Sequence, residues 1–396
     1  MNEQKIGFVL ALLLAFVSTE SGSASRQNPQ WKGKIETENG IKVVRNPAEP
    51  MKGTVLLEVE KALTINPYDQ PDVGMRSVRF VRDADGTVIL FDPNDPEAHR
   101  FGPKGEYLGS FIKKGQGPGE FSSGMGFSLI LMGGRIWGTG GMKLAEFDGD
   151  GRFVREQKLK DPPSIIVDEN HYLTERTEWN KDRTEQTRIV SLVRITKESL
   201  SDVREVDLIK GIGIGSIRNK SGKGGLVDPW GTPNLCFAFS RETQKIYAAV
   251  NTEYKIFVKN LKGATLSIIE KKHENVRISR KDVETMLGTI VKNDTFKWMI
   301  DSYPDRLVAL NSIQPLANGG FLVRRVSGPK EVEMDVFDGE GRCLYALKPP
   351  QGISFDSVTF HDRGFAMMDS TGDYSVYVDY RIKNLPENFA KEQYAR

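Results

Sequence analysis

Cysteine and histidine are scarce in this 396-residue sequence, with two of the first and four of the second. Two cysteines cannot build the bridged framework of a small secreted domain, and a chain this long can bury a core without one. Four histidines leave little material for an imidazole-rich metal centre. An excess charge of either sign is also missing: 55 Lys and Arg stand against 53 Asp and Glu, a net charge of +2. Nucleic-acid binding would want a clustered basic excess, so no such partner is expected. Past residue 17 no apolar run is long enough to cross a bilayer as a helix. No P-loop, dinucleotide fingerprint or nucleophile elbow occurs, and Gly213 to Ser216 has the wrong register for the last of these.

What is present begins with an export signal. Lys5 precedes an uncharged apolar stretch over 6–17, and Gly22 and Ala24 take the spacing of a cleavage site. Residues 1–24 are therefore predicted to be a signal peptide and 25–396 an exported chain, periplasmic or extracellular. No Cys follows the apolar stretch, which argues against a lipid anchor.

Glycine is abundant, with 39 residues, and much of it is periodic. FGPKGEYLGSF (101–111), FDGDGRFVREQKL (147–159), VKNLKGATLSII (258–269) and FDGEGRCLYALK (337–348) each place a short Gly turn before an alternating strand. LVRITKESLSDVREVDL (192–208) is a degenerate copy. Glycine accepts the positive φ that such hairpin turns require. A second hairpin precedes each copy, around Asp85–Gly86, Gly133–Gly134, 241–245, 317–320 and 362–364. Two hairpins make a four-stranded antiparallel unit, and the spacing of about 40–46 residues is that of a β-propeller blade.

The count predicts an all-β, six-bladed propeller. Blades fall at 75–111, 123–159, 163–208, 234–272, 306–348 and 353–380. The last has three strands, and the orphan strand at 54–65 is expected to complete it and close the ring, removing an open edge. Residues 279–302 break the β pattern. Ser279 and Asp282 form a capping pair, and Val283, Met286, Leu287, Ile290 and Val291 follow at helical spacing. A helical insert, with a second piece over 295–300, is expected between blades four and five. Cys236 then opens an inner strand and Cys343 lies on an outer one. Three strand spacings, about 14 Å, separate such positions, so both thiols are expected free and buried.

The stretch GQGPGEF (115–121) leaves an outer strand for the next inner one. Gly115, Gly117, Pro118, Gly119 and Glu120 are read as a compact reversal, with Phe121 anchoring the return between blades. Together with Asp92, Arg100, Phe101 and Gly105, it resembles the NHL-type repeat of exported bacterial six-bladed propellers. The match is specific over 86–121 and loose elsewhere: blade two has GTGGMKLAEF, and later blades lack GPGEF. The resemblance implies an interaction surface, and a few relatives of this type are metal-dependent lyases.

Candidate sites are few. The basic, Gly-rich loop 211–234 offers Arg218, Lys220, Lys223 and Trp230 to an anionic glycan or a peptide carboxylate; it also reads as a solvated connection with Trp230 as a plug. Arg76 and Arg79, near the inner strand of blade one, are expected either to face the channel or to pair with a nearby Asp. His99 (read as a loop residue), His171, His273 and His361 fall in separate segments, so three are not expected to converge on a metal. No cofactor is predicted, although an axial calcium held by carbonyls and carboxylates is compatible with hard-cation chemistry. The leading expectation is an exported, monomeric, non-catalytic scaffold that binds a protein, peptide or glycan. The alternative is a metal-dependent hydrolase or lyase at the axial channel.

Overall fold

Turn chemistry sets the repeat. In the turn 148–152, Asp148 Oδ1 accepts the N–H groups of Asp150 at 2.9 Å and Arg152 at 2.8 Å. Asp338 does the same for Glu340 at 3.0 Å and Arg342 at 2.8 Å. Asn260 serves Lys262 and Ala264, both at 3.0 Å. Each turn is followed by a register shift in the ladder and carries a glycine of positive φ. These glycines also dock on the preceding blade. A Cβ on Gly151 would lie 2.7 Å from Phe111, and one on Gly341 would lie 2.7 Å from Ile269.

A computed structural model describes residues 30–70, 73–123, 126–181, 186–195, 203–212, 217–218, 225–226, 230–288, 297–361 and 363–385. It is a six-bladed β-propeller. Blade one is Arg79–Arg82, Val88–Asp92, Glu97–Phe101 and Tyr107–Ile112. Blade two is Ser128–Met132, Arg135–Gly140, Lys143–Phe147 and Phe153–Lys158. Blade three is Pro163–Asp168, His171–Trp179, Gln186–Arg194 and Val203–Ile212. Blade four is Leu235–Ser240, Lys245–Val250, Lys255–Asn260 and Thr265–Lys271. Blade five is Leu310–Pro315, Phe321–Gly328, Glu331–Phe337 and Cys343–Lys348. Blade six is Thr359–His361, Gly364–Asp369 and Val376–Ile382, completed by Val59–Ile65.

Alternating side chains give each blade two apolar faces, so the core lies between blades. Six clusters result, one at each junction. The cluster joining blades six and one holds Ile65, Tyr377 and Ala366 against Val88, Leu90 and Phe101, which shows that the ring is closed. Half-buried arginines cross the same junctions to backbone carbonyls: Arg100 to Asp150 at 2.7 Å, Arg241 to Ile166 at 2.8 Å and Arg324 to Val358 at 3.1 Å.

The chain before the first blade differs from the expectation. Residues 54–65 are not one strand. Thr54–Leu56 adds in parallel to the outer strand of blade five, and only Val59–Ile65 pairs with Val376–Ile382 to seal blade six. Upstream, Lys34–Glu38 and Ile41–Asn46 form a hairpin that the repeat count does not include. It adds in parallel to the outer strand of blade four, so that sheet has six strands. Its signal was the Asn39–Gly40 pair, both residues with positive φ.

The GPGEF segment also departs in detail. Only Gly119 among its glycines needs positive φ, at +74°. Gly115 is glycine because Glu120 folds back over it: a Cβ there would sit 1.9 Å from Glu120 Oε2. Phe121 is buried among Ile89, Ala98, Leu129 and Phe147, between blades one and two. Such burial of a Phe ring contributes about 2–3 kcal/mol.

The helical insert forms α1, Arg280–Leu287, with the Ser279–Asp282 capping box, and α2, Trp298–Ser302, displaced from the predicted 295–300. Val283, Met286, Leu287 and Met299 bury against Trp230 and Tyr303. Ile290 and Val291, like the signal segment, lie outside the described residues. Cys236 and Cys343 are free and buried. Burial pushes the Cys236 thiol up to about 11 and Cys343 higher still, so neither is a nucleophile at neutral pH.

Candidate functional site

Strand direction decides where the connections lie. In a four-stranded antiparallel blade, the turn between the second and third strands and the exit from the fourth fall at the same end. All inter-blade connections, including the loop before blade four and the helical insert, therefore gather at one end of the ring. α2 lies against the short strand Ile217–Arg218, which pairs with Gly225–Leu226. Among the described residues, the connections 83–87, 102–106, 148–152, 261–264 and 338–342 at the opposite end are tight turns.

The sequence candidates disperse over this end. Arg76 and Arg79 are both exposed. The backbone N–H of Arg76, with that of Ser77, is held by Asp92 Oδ2 at 2.7 and 2.9 Å. Asp92 Oδ1 accepts from Asn94 and Asp95 at 2.8 and 3.2 Å. Burial works against its charge, but the four N–H groups hold the carboxyl below its ordinary range. The side chains of Arg218, Lys220 and Lys223 lie outside the described residues. Trp230 is only 6 % exposed and is packed under the helical insert, so its ring is part of the core.

Several groups that resemble catalytic residues are consumed at blade junctions. Asp335 Oδ2 accepts from Lys271 Nζ and Tyr254 OH, both at 2.7 Å, and from Arg325 Nε at 3.2 Å. Arg325 also binds Glu333. This set is sealed between blades four and five. Asp379 binds Arg82 at 3.2 Å, His361 at 3.1 Å and Tyr377 at 3.3 Å between blades six and one. Burial opposes its charge, and the His361 hydrogen bond with the nearby cations keeps its pKa low.

An open cleft of about 500 Å³ lies on blade one, runs along its outer two strands and is lined by Asp95, Glu97, His99, Tyr107, Ser110, Lys113 and Lys114. His99 lies within the strand Glu97–Phe101 and not in a loop. Its side chain is 2 % exposed, with Nε2 2.6 Å from Glu97 Oε1 and Nδ1 3.0 Å from Tyr107 OH. The register shifts around His99 and the positive φ of Gly109, +114°, bring Tyr107 over the imidazole, with ring centroids 5.9 Å apart. The motif reading missed this set because it depends on a bulged register. The signal was Glu97 and His99 two apart on one strand face, with a Tyr across the hairpin. Asp95 is tied to Lys114 at 3.2 Å and Ser123 at 2.5 Å.

Among the described residues no three His, Cys, Asp or Glu side chains gather as a metal site, and no helix is long and apolar enough to cross a membrane. No family model matches the chain, and no curated protein matches it. Solved structures resemble it at low identity. A member of the DUF4221 family from Bacteroides vulgatus is 10 % identical at a TM-score of 0.49, covering 83 % of this chain and 99 % of its own. A protein from Bacteroides fragilis that carries an exported-protein assignment is 13 % identical at a TM-score of 0.44, covering 86 % and 99 %. Virginiamycin B lyase from Staphylococcus aureus is 12 % identical at a TM-score of 0.40, covering 82 % and 99 %. These likenesses are too distant to carry an activity across, and the fold stands on the strand pairings themselves.

Proposed function

We propose that this chain is an exported, non-catalytic binding protein that receives a protein partner on the connection-bearing end of the ring. The observation that carries the reading is the placement of two of the three exposed aromatics among the described residues. Trp179, 46 % exposed, ends the second strand of blade three, and Tyr374, 59 % exposed, lies in the corresponding turn of blade six. Those blades are opposite each other in a ring of six. Both aromatics stand at the end that also carries the helical insert, and Tyr374 stacks on Tyr68 at 4.6 Å. A surface spanning the ring suits a protein better than a single glycan chain. Exposed aromatics are the usual anchors of such contacts. Export follows from the apolar leader in the sequence.

Photo-crosslinking in the producing cell tests this. A photoreactive residue at Trp179 or Tyr374 is expected to capture one and the same polypeptide, while residues Lys104 and Glu340, in turns at the other end, capture none. Equal capture from both ends, or capture of a polysaccharide only, overturns the proposal. So does turnover of an ester or lactone by the purified protein with a divalent metal.

A further inference from the structure

The cleft on blade one holds a chain of contacts that the partner surface does not use. Glu97 is a carboxylate and only accepts hydrogen bonds. Its 2.6 Å contact with His99 Nε2 places the proton of the neutral imidazole on Nε2. Nδ1 is then the acceptor, and the Tyr107 hydroxyl, 3.0 Å away, donates to it. The order is carboxylate, imidazole, hydroxyl. In that order an imidazole takes the proton of an oxygen nucleophile, while the carboxylate holds its tautomer and steadies the imidazolium that forms. His99 is 2 % exposed, so water does not compete for its nitrogens, and Glu97 is partly exposed.

Tyr107 and His99 both line the cleft, whose volume suits a small molecule. Two other tyrosines meet carboxylates directly, with no imidazole between: Tyr254 with Asp335 at 2.7 Å and Tyr377 with Asp379 at 3.3 Å. Burial and the adjacent carboxylate push both of those phenols up, which keeps them protonated and inert. Tyr107 instead faces a base. The charges of the lining bear on what it would attack. Asp95 and Glu97 are matched by Lys113 and Lys114, and Lys114 is tied to Asp95 at 3.2 Å. A balanced lining gives a phosphoryl dianion little hold and suits an uncharged carbonyl carbon.

We infer that Tyr107 is an acyl acceptor, modified by an activated ester or thioester that enters the cleft, with His99 as general base and Glu97 as the positioning residue. The phenol oxygen forms a bond to the carbonyl carbon, and the bond from that carbon to the donor's oxygen or sulfur breaks. The phenol proton passes to His99 Nδ1 and from there to the leaving group. The acyl group stays on Tyr107, so the event modifies the chain once and is not a turnover.

The test incubates the full mature chain with p-nitrophenyl acetate at neutral pH, follows nitrophenolate release and maps acetylated peptides by mass spectrometry. A burst of one equivalent is expected, with the acetyl group on Tyr107 ahead of every other of the 11 tyrosines. Tyr107→Phe keeps the ring and should abolish the burst. Glu97→Gln offers the imidazole an N–H in place of a carboxylate oxygen, which allows the tautomer with Nδ1–H against the phenol. It should slow the burst roughly hundredfold, the weight of a positioned general base. His99→Gln should slow it as much. Melts of each variant check folding, and the partly exposed Glu97 decides the matter if the buried His99→Gln does not fold. No burst, acetylation of the exposed Tyr374 or of lysines before Tyr107, or an unchanged rate in Glu97→Gln overturns the inference. Because the crosslinking above probes other blades, either result can fail without the other.

Discussion

At the scale of single residues, the ring pairs several of its buried charged groups across blade junctions, as at Asp335 and Asp379. His273 has no such pairing at its Nε2. It packs edge-on to Tyr254 at 5.7 Å, and its buried Nε2 has no hydrogen-bond partner in the structure. Burial, with the nearby charges of Arg325 and Lys271, lowers its pKa from 6.5 to about 4, against the weaker pull of Asp335 and Glu274. The folded protein therefore keeps it neutral where the unfolded chain would protonate it. Over that interval the unfolded state binds more protons, so stability falls as pH drops from about 6.5 to about 4. Asp92 and Asp379 have pKa values below 3.8, and their contribution is lost only as pH falls further. His273→Gln is expected to flatten the stability curve between pH 6.5 and 4 while leaving the steeper fall below it. Urea midpoints measured every half pH unit on both proteins check this, and parallel curves would refute it. None of this is legible in the run Lys271-Lys272-His273-Glu274, which reads as solvated charge. The environment there includes Arg325 and Asp335 of blade five, more than fifty residues away in sequence.

At the scale of elements, the GPGEF segment shows what its residues are for. It is a clasp, not a cradle. Lys143 Nζ donates to the carbonyls of Gly117 at 3.0 Å and Glu120 at 2.7 Å. Glu156 accepts the Gly119 N–H at 2.9 Å and pairs with Lys143 at 2.7 Å. Burial opposes the Glu156 charge, and these contacts still hold its pKa low. The clasp sets Phe121 into a slot made by glycines of blade two, since a Cβ on Gly138 would lie 2.9 Å from the ring. Phe121→Ala is expected to cost about 3–5 kcal/mol. Gly138→Ala should destabilise the native protein but add little once Phe121 is Ala, because the clash has gone with the ring. Denaturant unfolding of the two single variants and the double variant measures that coupling; simple additivity would mean that the ring does not define the slot. The blades, the turns and the anchoring role of Phe121 were legible because each rests on local period or φ. The pairing of 54–56 with blade five was not, because a three-residue parallel strand leaves no period to read.

At the scale of the whole molecule, the segment 34–65 acts as a belt along the outer edges of three consecutive blades. It covers the edge of blade four with a hairpin, that of blade five with three residues, and supplies the fourth strand of blade six. These attachments differ in weight. Val59–Ile65 closes the ring and buries Ile65 in the junction of blades six and one, so its loss opens the circle. The hairpin instead caps an already complete blade. Its hold is Val43, Val44 and the buried Asn46. Asn46 Nδ2 donates to Gly341 O at 2.9 Å and Glu270 O at 3.2 Å, while Oδ1 accepts from Cys343 N at 2.7 Å. Asn46 therefore ties the hairpin to blade four and to the turn of blade five. A chain starting at residue 50 is accordingly expected to fold with a lower unfolding midpoint and to self-associate, because Thr265–Lys271 becomes an open edge with unpaired N–H and C=O groups. A chain starting at residue 66 is expected to give no cooperative transition. Circular dichroism melts with sedimentation velocity separate these outcomes. A monomeric, equally stable chain from residue 50 would show that the hairpin is an ornament, and a cooperative fold from residue 66 would show that the ring is held by its inter-blade cores without the closing strand.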